Sequence, residues 1–357
     1  MDKIDKYISE NDHIKALHQC ISLNQNYLGL LLSNIWINNP NIIDINKNII
    51  KNIQSLENED IEIIEDQEIF DFITVKLLCN WMSSEELANS WNKMSKGDFT
   101  WNKIKLIWND NKEPDYYVVI NKPPSFINPP SNKTIVFRME PYMEKHPEIW
   151  GEWSSPDSKN FFKVCYHDNE YNNNEWHLSK TYKELLNQPI EKSINILSTV
   201  LSSKYSDIGH IKRVDFIKFL ESKNMTVDVF GDNKFNYKNY KGNLPAREKD
   251  DALFPYKYTF NAENNSIKNY YTEKLIDGIL SESLVFYNGC PNIRDYINEK
   301  AFVWLELSNF ENDYNIIKKA IEEDWWSKRI EYIRAEKIKI LNYLQFFPRL
   351  ERIITKK

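Results

Sequence analysis

The sequence predicts an α/β protein made of two doubly wound units, and three observations carry that expectation. Apolar segments of strand length recur from about residue 75 onward, and Lys- and Glu-rich stretches with helical spacing separate them. The chain is 357 residues long with 41% hydrophobic and 14% aromatic content, enough to bury more than one core.

In chain order, VKLLCN (75–80), YYVVI (116–120), TIVFR (134–138) and FFKVC (161–165) read as buried strands of a first unit. A second series follows with INILSTVLSS (194–203), TVDVF (226–230), YTFNA (258–262), LVFYN (284–288) and FVWLEL (302–307). The boundary between the units is expected between Tyr182 and Ile194. Two doubly wound units in tandem are expected to bind ligand between them at the carboxyl ends of the strands. Before the first unit, HIKALHQCISLNQNYLGLLLSNIW and IIDINKNIIKNIQSL predict helices, closed by the acidic run ENEDIEIIEDQE. Acceptor binding, dimerisation and structural support are all open for this accessory region. After the second unit, IIKKAIEEDWW and RIEYIRAEKIKILNYLQ predict C-terminal helices, with Trp325 and Trp326 as packing residues and a tail able to cross back to the first unit. The expected domains are 1–70 (helical extension), 71–188, 189–325 and 326–357 (C-terminal helices).

A net charge of -6 argues against a general nucleic-acid binder, which carries a basic surface. Cys20, Cys79, Cys165 and Cys290 are far apart and form no C-x-x-C pair, so neither a zinc site nor a disulfide framework is expected. No apolar run reaches membrane-span length, and MDKIDKYISEND is too polar for a secretory signal, so a soluble cytoplasmic protein is expected. Heavy use of Asn, Ile and Lys fits an AT-rich genome, that of an AT-rich microbe or of a large DNA virus, for which the compartment is the host cytoplasm.

The most informative stretch is Tyr256 to Gly289, YKYTFNAENNSIKNYYTEKLIDGILSESLVFYNG. Tyr256 to Ala262 alternates as a strand, Glu263 to Asn269 is a polar loop, and helical spacing begins at Thr272 through Leu275, Ile279 and Leu280. The orphan amides and macrodipole of a helix N-terminus favour phosphate. Lys274 is poorly placed in the first turn unless an anion sits beside it, whereas Glu273 is at home there and can accept hydrogen bonds from a ribose diol. A solvated Glu-Lys pair capping an ordinary helix is the plainer alternative.

Residues 256–289 resemble the donor-binding segment of the family-ten glycosyltransferases, the α1,3/α1,4-fucosyltransferases. That segment reads as an aromatic strand, F-E-N-S, a short loop, Y-V-T-E-K, and a helix leading to a strand that ends in Gly. Here Glu263-Asn264 stands for E-N, and Tyr270-Tyr271-Thr272-Glu273-Lys274 for the second cluster. Ala262 replaces the usual Phe and Tyr271 the usual Val, two changes expected beside the sugar and so bearing on donor identity. The resemblance implies a GT-B fold, two Rossmann-like domains facing a cleft, of the soluble bacterial or viral type without the membrane anchor of the animal Golgi enzymes. It implies an inverting transferase whose co-substrate is a nucleotide sugar, GDP-fucose by best match, and whose acceptor is a glycan hydroxyl. Another nucleotide-sugar donor, or a non-catalytic glycan-binding or assembly protein on the same scaffold, are the alternatives.

The chemistry needs a base for the acceptor hydroxyl and a positive environment for the departing diphosphate. TIVFR runs into Met139-Glu140-Pro141, where Pro fixes a turn that projects the carboxylate beyond the sheet. This resembles the family's acid at the same strand end, so Glu140 is carried over as general base, with Glu144 as substitute. Arg213, Phe216 and Leu220 match the family's R-x-x-F-x-x-x-L, whose Arg contacts the diphosphate. Lys212 lies beside it, and an exposed place on an amphipathic helix is the alternative for Arg213. The resemblance also implies Asn264 and Tyr270 near the base or ribose and Glu273 on the ribose hydroxyls, with core packing the alternative for Tyr270. CNWMSSEELANSW resembles the family's opening strand and loop, placing Asn80 and Trp81 in the cleft. Trp150, Trp153 and Trp176, with His146 and His177, are candidates for an acceptor platform, and more than half of them are expected to be core. No Asp-x-Asp with a nearby His occurs, and Asp250-Asp251 reads as a charged loop, so metal-independent chemistry is expected with cationic side chains in the metal's place. The partners expected are a nucleotide sugar and a glycan or glycoconjugate, no nucleic acid, and a second copy through the N-terminal helices.

Overall fold

The computed structural model describes residues 72–109, 112–140, 151–171 and 175–355. The helices expected in residues 1–70 lie outside these, as do Glu144, His146 and Trp150. The chain divides into one unit of Met1–Phe70 with Ile338–Leu344, and another of Asp71–Lys337 with Gln345–Lys357. Of the first unit only 338–344 are described, and Ile340–Leu344 forms a π-helical turn.

Within the second unit, the first sheet contains β1 (Ile73–Leu78), β2 (Thr100–Trp101), β3 (Ile104–Leu106), β4 (Tyr116–Ile120), β5 (Thr134–Phe137) and β6 (Lys163–Cys165) in the order β2-β3-β1-β4-β5-β6. All its pairs are parallel except the short β2-β3 hairpin. Helix α1 (Ser84–Asn92) follows β1 and opens on a capping box in which Ser83 and Glu86 satisfy each other's backbone amides. Helix α2 (Tyr182–Asn187) opens on the same device from Thr181 and Glu184.

The second sheet contains β7 (Ile194–Leu201), β8 (Val227–Gly231), β9 (Tyr240–Gly242), β10 (Tyr256–Ala262), β11 (Leu284–Asn288) and β12 (Phe302–Trp304). Its order is β12-β11-β10-β7-β8-β9, and every pair is parallel. Its helices are α3 (Ile208–Ser222), α4 (Asp250–Leu253), α5 (Glu273–Leu280) and α6 (Phe310–Glu322). Parallel strands covered on both faces are apolar almost throughout, which explains the runs LVFYN and YTFNA: Tyr258, Phe260, Val285 and Phe286 are all fully buried. The strand order reverses between β7 and β10, so this sheet's crevice opens at the carboxyl ends of those two strands. Two Rossmann-like parallel sheets of this kind make the GT-B architecture, as the sequence predicts.

All nine expected segments contain a strand, although FFKVC contributes only Lys163–Cys165 and FVWLEL only Phe302–Trp304. Strands β2, β3 and β9 escape sequence reading because two or three residues are too few to show alternation. Asp250-Asp251, expected in a charged loop, instead begins α4, where Asp250 accepts the Ser179 backbone N–H at 2.8 Å.

Helix α7 (Trp325–Lys339) lies along the second sheet, with Trp326 Nε1 donating to the Glu282 carbonyl at 2.7 Å. Trp325 packs under the Arg329 guanidinium, so both tryptophans are packing residues. Helix α8 (Phe346–Thr355) does cross to the first sheet. Phe346 meets Trp91 edge-on at 4.7 Å, Phe347 stacks on Trp101 at 6.0 Å, and Gln345 donates to the Met94 carbonyl at 3.2 Å.

Candidate functional site

Strand β10 ends at Ala262, and the next residue, Glu263, turns inward. It is 2% exposed, although a carboxylate is costly to bury unless it is paired and hydrogen-bonded. Its two oxygens accept from Thr272 N (2.9 Å) and Thr272 Oγ1 (2.7 Å), and Tyr287 donates to it at 3.3 Å. Thr272 is the N-cap of α5, with its hydroxyl facing the Lys274 amide at 3.4 Å. Glu263 thereby ties the end of β10 to the start of α5, and the two clusters seen in the sequence become one structure. Gly289 makes room for it, since a Cβ there would fall 2.4 Å from Glu263 Cγ.

The Lys274 ammonium lies 3.3 Å from Glu273 Oε1 and 3.6 Å from Glu263 Oε2. The anion that sequence reasoning asks for beside Lys274 is thus supplied in part by the protein's own carboxylates. Burial opposes ionisation of Glu273, but the Lys274 and Lys249 ammoniums outweigh it and hold its carboxyl well below the usual carboxylate range.

Arg213 is buried, which overturns the alternative of an exposed helix residue: α3 turns it inward together with Val214, Phe216, Ile217 and Leu220. Its guanidinium donates to the Ala262 carbonyl at 2.7 Å and to Asn264 Oδ1 at 3.1 Å, clamping both sides of Glu263. Gly209 in the first turn of α3 lets the helix approach the same backbone. Its N–H donates to the Asn264 carbonyl at 3.2 Å, and a Cβ would fall 2.2 Å from the Glu263 carbonyl oxygen.

Glu140 stands beyond β5 with its side chain open to solvent. Asn121, at the end of β4 with φ +59°, accepts the Met139 and Glu140 amides on its Oδ1 at 2.7 and 3.1 Å and so shapes the turn. Arg138 also holds it, donating to the Glu140 carbonyl at 3.4 Å and to the Trp153 carbonyl at 3.0 Å. Desolvation pushes the Glu140 carboxyl pKa up, against the opposing pull of Lys274 and with the support of Glu273 and Glu263. Of those three, Glu263 follows β10, and Glu273 and Lys274 open α5. At Tyr270, burial first and then Glu263, Glu140 and Glu273 drive the hydroxyl pKa well up.

Tyr270 is 1% exposed and packs edge-on against His167 at 5.1 Å, while the His167 carbonyl accepts from Asn269 Nδ2 at 2.5 Å. Burial lowers the His167 pKa to about 4, which keeps its ring neutral above that pH. Asn80 is exposed, and Trp81 is 44% exposed just past β1. Trp176 is core, donating to the Lys180 carbonyl at 3.1 Å, and Trp153 packs against the Val119 and Val136 cluster, so neither is part of an open acceptor platform. Ala262 and Tyr271, expected beside the sugar, are both 1% exposed. Tyr271 stacks on Tyr171 at 5.6 Å and leans on Tyr296 at 5.4 Å, so it fills an aromatic core in place of lining a cleft. Sequence reasoning missed Asn121, Gly209 and Lys249. Only a lone glycine near a helix start hinted at any of them.

Among the described residues, no group of three or more His, Cys, Asp or Glu side chains is placed to hold a metal ion, and no helix is long and apolar enough to cross a membrane.

Residues 192–319 match the family model described as glycosyltransferase family 10 (fucosyltransferase) C-term. That match spans the whole second sheet, so this part of the chain is similar to a family-ten C-terminal domain. Among solved structures, an α1,3-fucosyltransferase with GDP is similar at 19% identity and a TM-score of 0.46, over 72% of this chain and 81% of that one. The α1,3-fucosyltransferase with GDP-fucose gives 18% identity and 0.44, over 77% and 92%. An Anabaena protein in complex with UDP-glucose gives 11% identity and 0.48, over 79% and 98%. No curated protein matches the chain.

Proposed function

We propose that this protein is a glycosyltransferase that moves fucose from GDP-fucose to a glycan hydroxyl by inverting, metal-independent displacement. Residues 71–188 then form the acceptor side and 189–325 the donor side. The observation that supports this best is the cluster of Glu263, Thr272, Glu273 and Lys274, which the hydrogen bonds of Glu263 to Thr272 gather at the carboxyl end of β10 and the N-terminus of α5, inside the region that matches the family model. In this reading Glu140 accepts the proton of the acceptor hydroxyl as its oxygen attacks the anomeric carbon. The bond from that carbon to the β-phosphate oxygen breaks, and configuration inverts. Negative charge grows on the diphosphate, where Lys274, Arg213 and the N-terminus of α5 receive it. Asn264 contacts the nucleotide, Glu273 accepts from the ribose hydroxyls, and Asn80 and Trp81 border the acceptor, whereas Tyr270, 1% exposed and packed on His167, supports the loop from within.

A panel of GDP- and UDP-sugars, followed by thermal shift and by hydrolysis or transfer, tests the donor. GDP-fucose is expected to give the largest stabilisation, and a protein that no nucleotide stabilises would end the donor-site reading. Transfer is expected to survive EDTA, and restoration of a lost activity by Mn²⁺ would refute the metal-independent part. Gly209→Ala should weaken GDP binding by roughly tenfold, about 1.4 kcal/mol, because its methyl displaces the 263–264 backbone. Unchanged GDP affinity in a folded variant would show that this loop does not touch the nucleotide.

A further inference from the structure

Lys249 has no part in the chemistry above, yet it is the best-anchored cation near the candidate site. It immediately precedes α4, and its ammonium lies 2.8 Å from Asp277 Oδ2 and 3.4 Å from Glu273 Oε1. Glu273 and Asp277 are four residues apart on α5, so they share a face of the helix and repel each other when both are ionised. Asp277 is fully buried and cannot move away. Its other oxygen accepts the His177 backbone N–H at 2.8 Å, and the His177 carbonyl accepts the Lys249 N–H at 2.8 Å. The Lys249 side chain is only 17% exposed, so it is held between the two carboxylates. Removing it would leave Asp277 pushing Glu273 off its position.

We propose that Lys249 is a positioning residue for nucleotide recognition, fixing the Glu273 carboxylate where it accepts hydrogen bonds from the ribose diol of a nucleoside diphosphate. This rests on the ribose role given to Glu273 above. The diol is common to GDP and UDP, so the inference holds for either nucleotide.

The test is calorimetric titration of the whole chain with GDP, UDP and their 2′,3′-dideoxy forms. Wild type is expected to prefer the ribose form by about tenfold. Lys249→Met should raise the Kd of the ribose form about tenfold, about 1.4 kcal/mol, leave the dideoxy form unchanged, and so erase the preference. Glu273→Gln should erase it equally, and the double variant should be no worse than either single one. Lys249→Arg should restore part of the preference. Should Lys249→Met fail to fold, Asp277→Asn, which keeps the cation and loosens its anchor, is expected to reduce the preference in its place. Equal weakening of ribose and dideoxy forms would overturn the positioning role. A wild type that binds both forms equally would remove the ribose role of Glu273 and the inference with it. A wild type that binds no nucleotide would instead refute the donor site as a whole.

Discussion

Glu140→Gln should lower transfer by roughly 10²–10⁴-fold, the range for loss of a general base, while leaving GDP affinity within about a factor of two. The amide is nearly isosteric but cannot take the acceptor proton. The substitution should also leave the turn intact, because Asn121 Oδ1 holds it through the Met139 and Glu140 backbone amides and not through the Glu140 carboxylate. Initial rates alongside GDP titration would check this, and loss of both together would mark Glu140 as structural. A second readout comes from pH. A base works only when ionised, and desolvation raises the Glu140 pKa against the pull of Lys274. The acid limb of kcat/KM should therefore lie above the ordinary carboxylate range, with activity falling as pH drops through it. Glu140→Gln should abolish that limb.

The fold was legible because buried parallel strands must be apolar along their length, and that run survives in sequence at all nine principal strands. The link between the two polar clusters was legible for a different reason: Glu263 and Thr272 are nine residues apart and bonded at 2.7 Å, so it falls within one local stretch. What sequence could not reveal was the direction in which side chains turn. Tyr271 sits between Tyr270 and Thr272, both at the site, yet it points into the cluster of Tyr171 and Tyr296, which the chain brings in from either side of it. Lys249 was hidden similarly, since its partners Asp277 and Glu273 lie 28 and 24 residues away and no periodicity relates them. Arg213 was found by its spacing, but its partners were not. Helical pattern alone does not distinguish a guanidinium facing phosphate from one bonded to the Ala262 carbonyl.

That distinction separates the two cationic substitutions. Lys274→Ala is expected to weaken GDP binding by about 10- to 100-fold, because a point charge in the first turn of α5 is lost where the helix favours phosphate. It also takes the ammonium away from Glu263, whose side chain is fully buried, so some loss of thermal stability should accompany it. Arg213→Ala should cost more stability, about 1–3 kcal/mol for the buried Ala262 carbonyl it leaves without this partner, with a smaller share from the half-buried Asn264 Oδ1. Its effect on binding depends on which of two roles it plays. If the guanidinium meets the diphosphate, GDP affinity should fall while guanosine affinity does not. If it acts by holding Asn264, the two should fall together. Arg213→Lys sharpens the comparison, since one ammonium keeps the charge but lacks the planar fork that spans both acceptors. Recovery of GDP affinity by Lys would favour the electrostatic role, and continued loss of guanosine affinity would favour the clamp. If GDP binds equally well to Lys274→Ala and Arg213→Ala, the cationic receptor for the leaving group does not exist, and Glu140 would have to face some other chemistry.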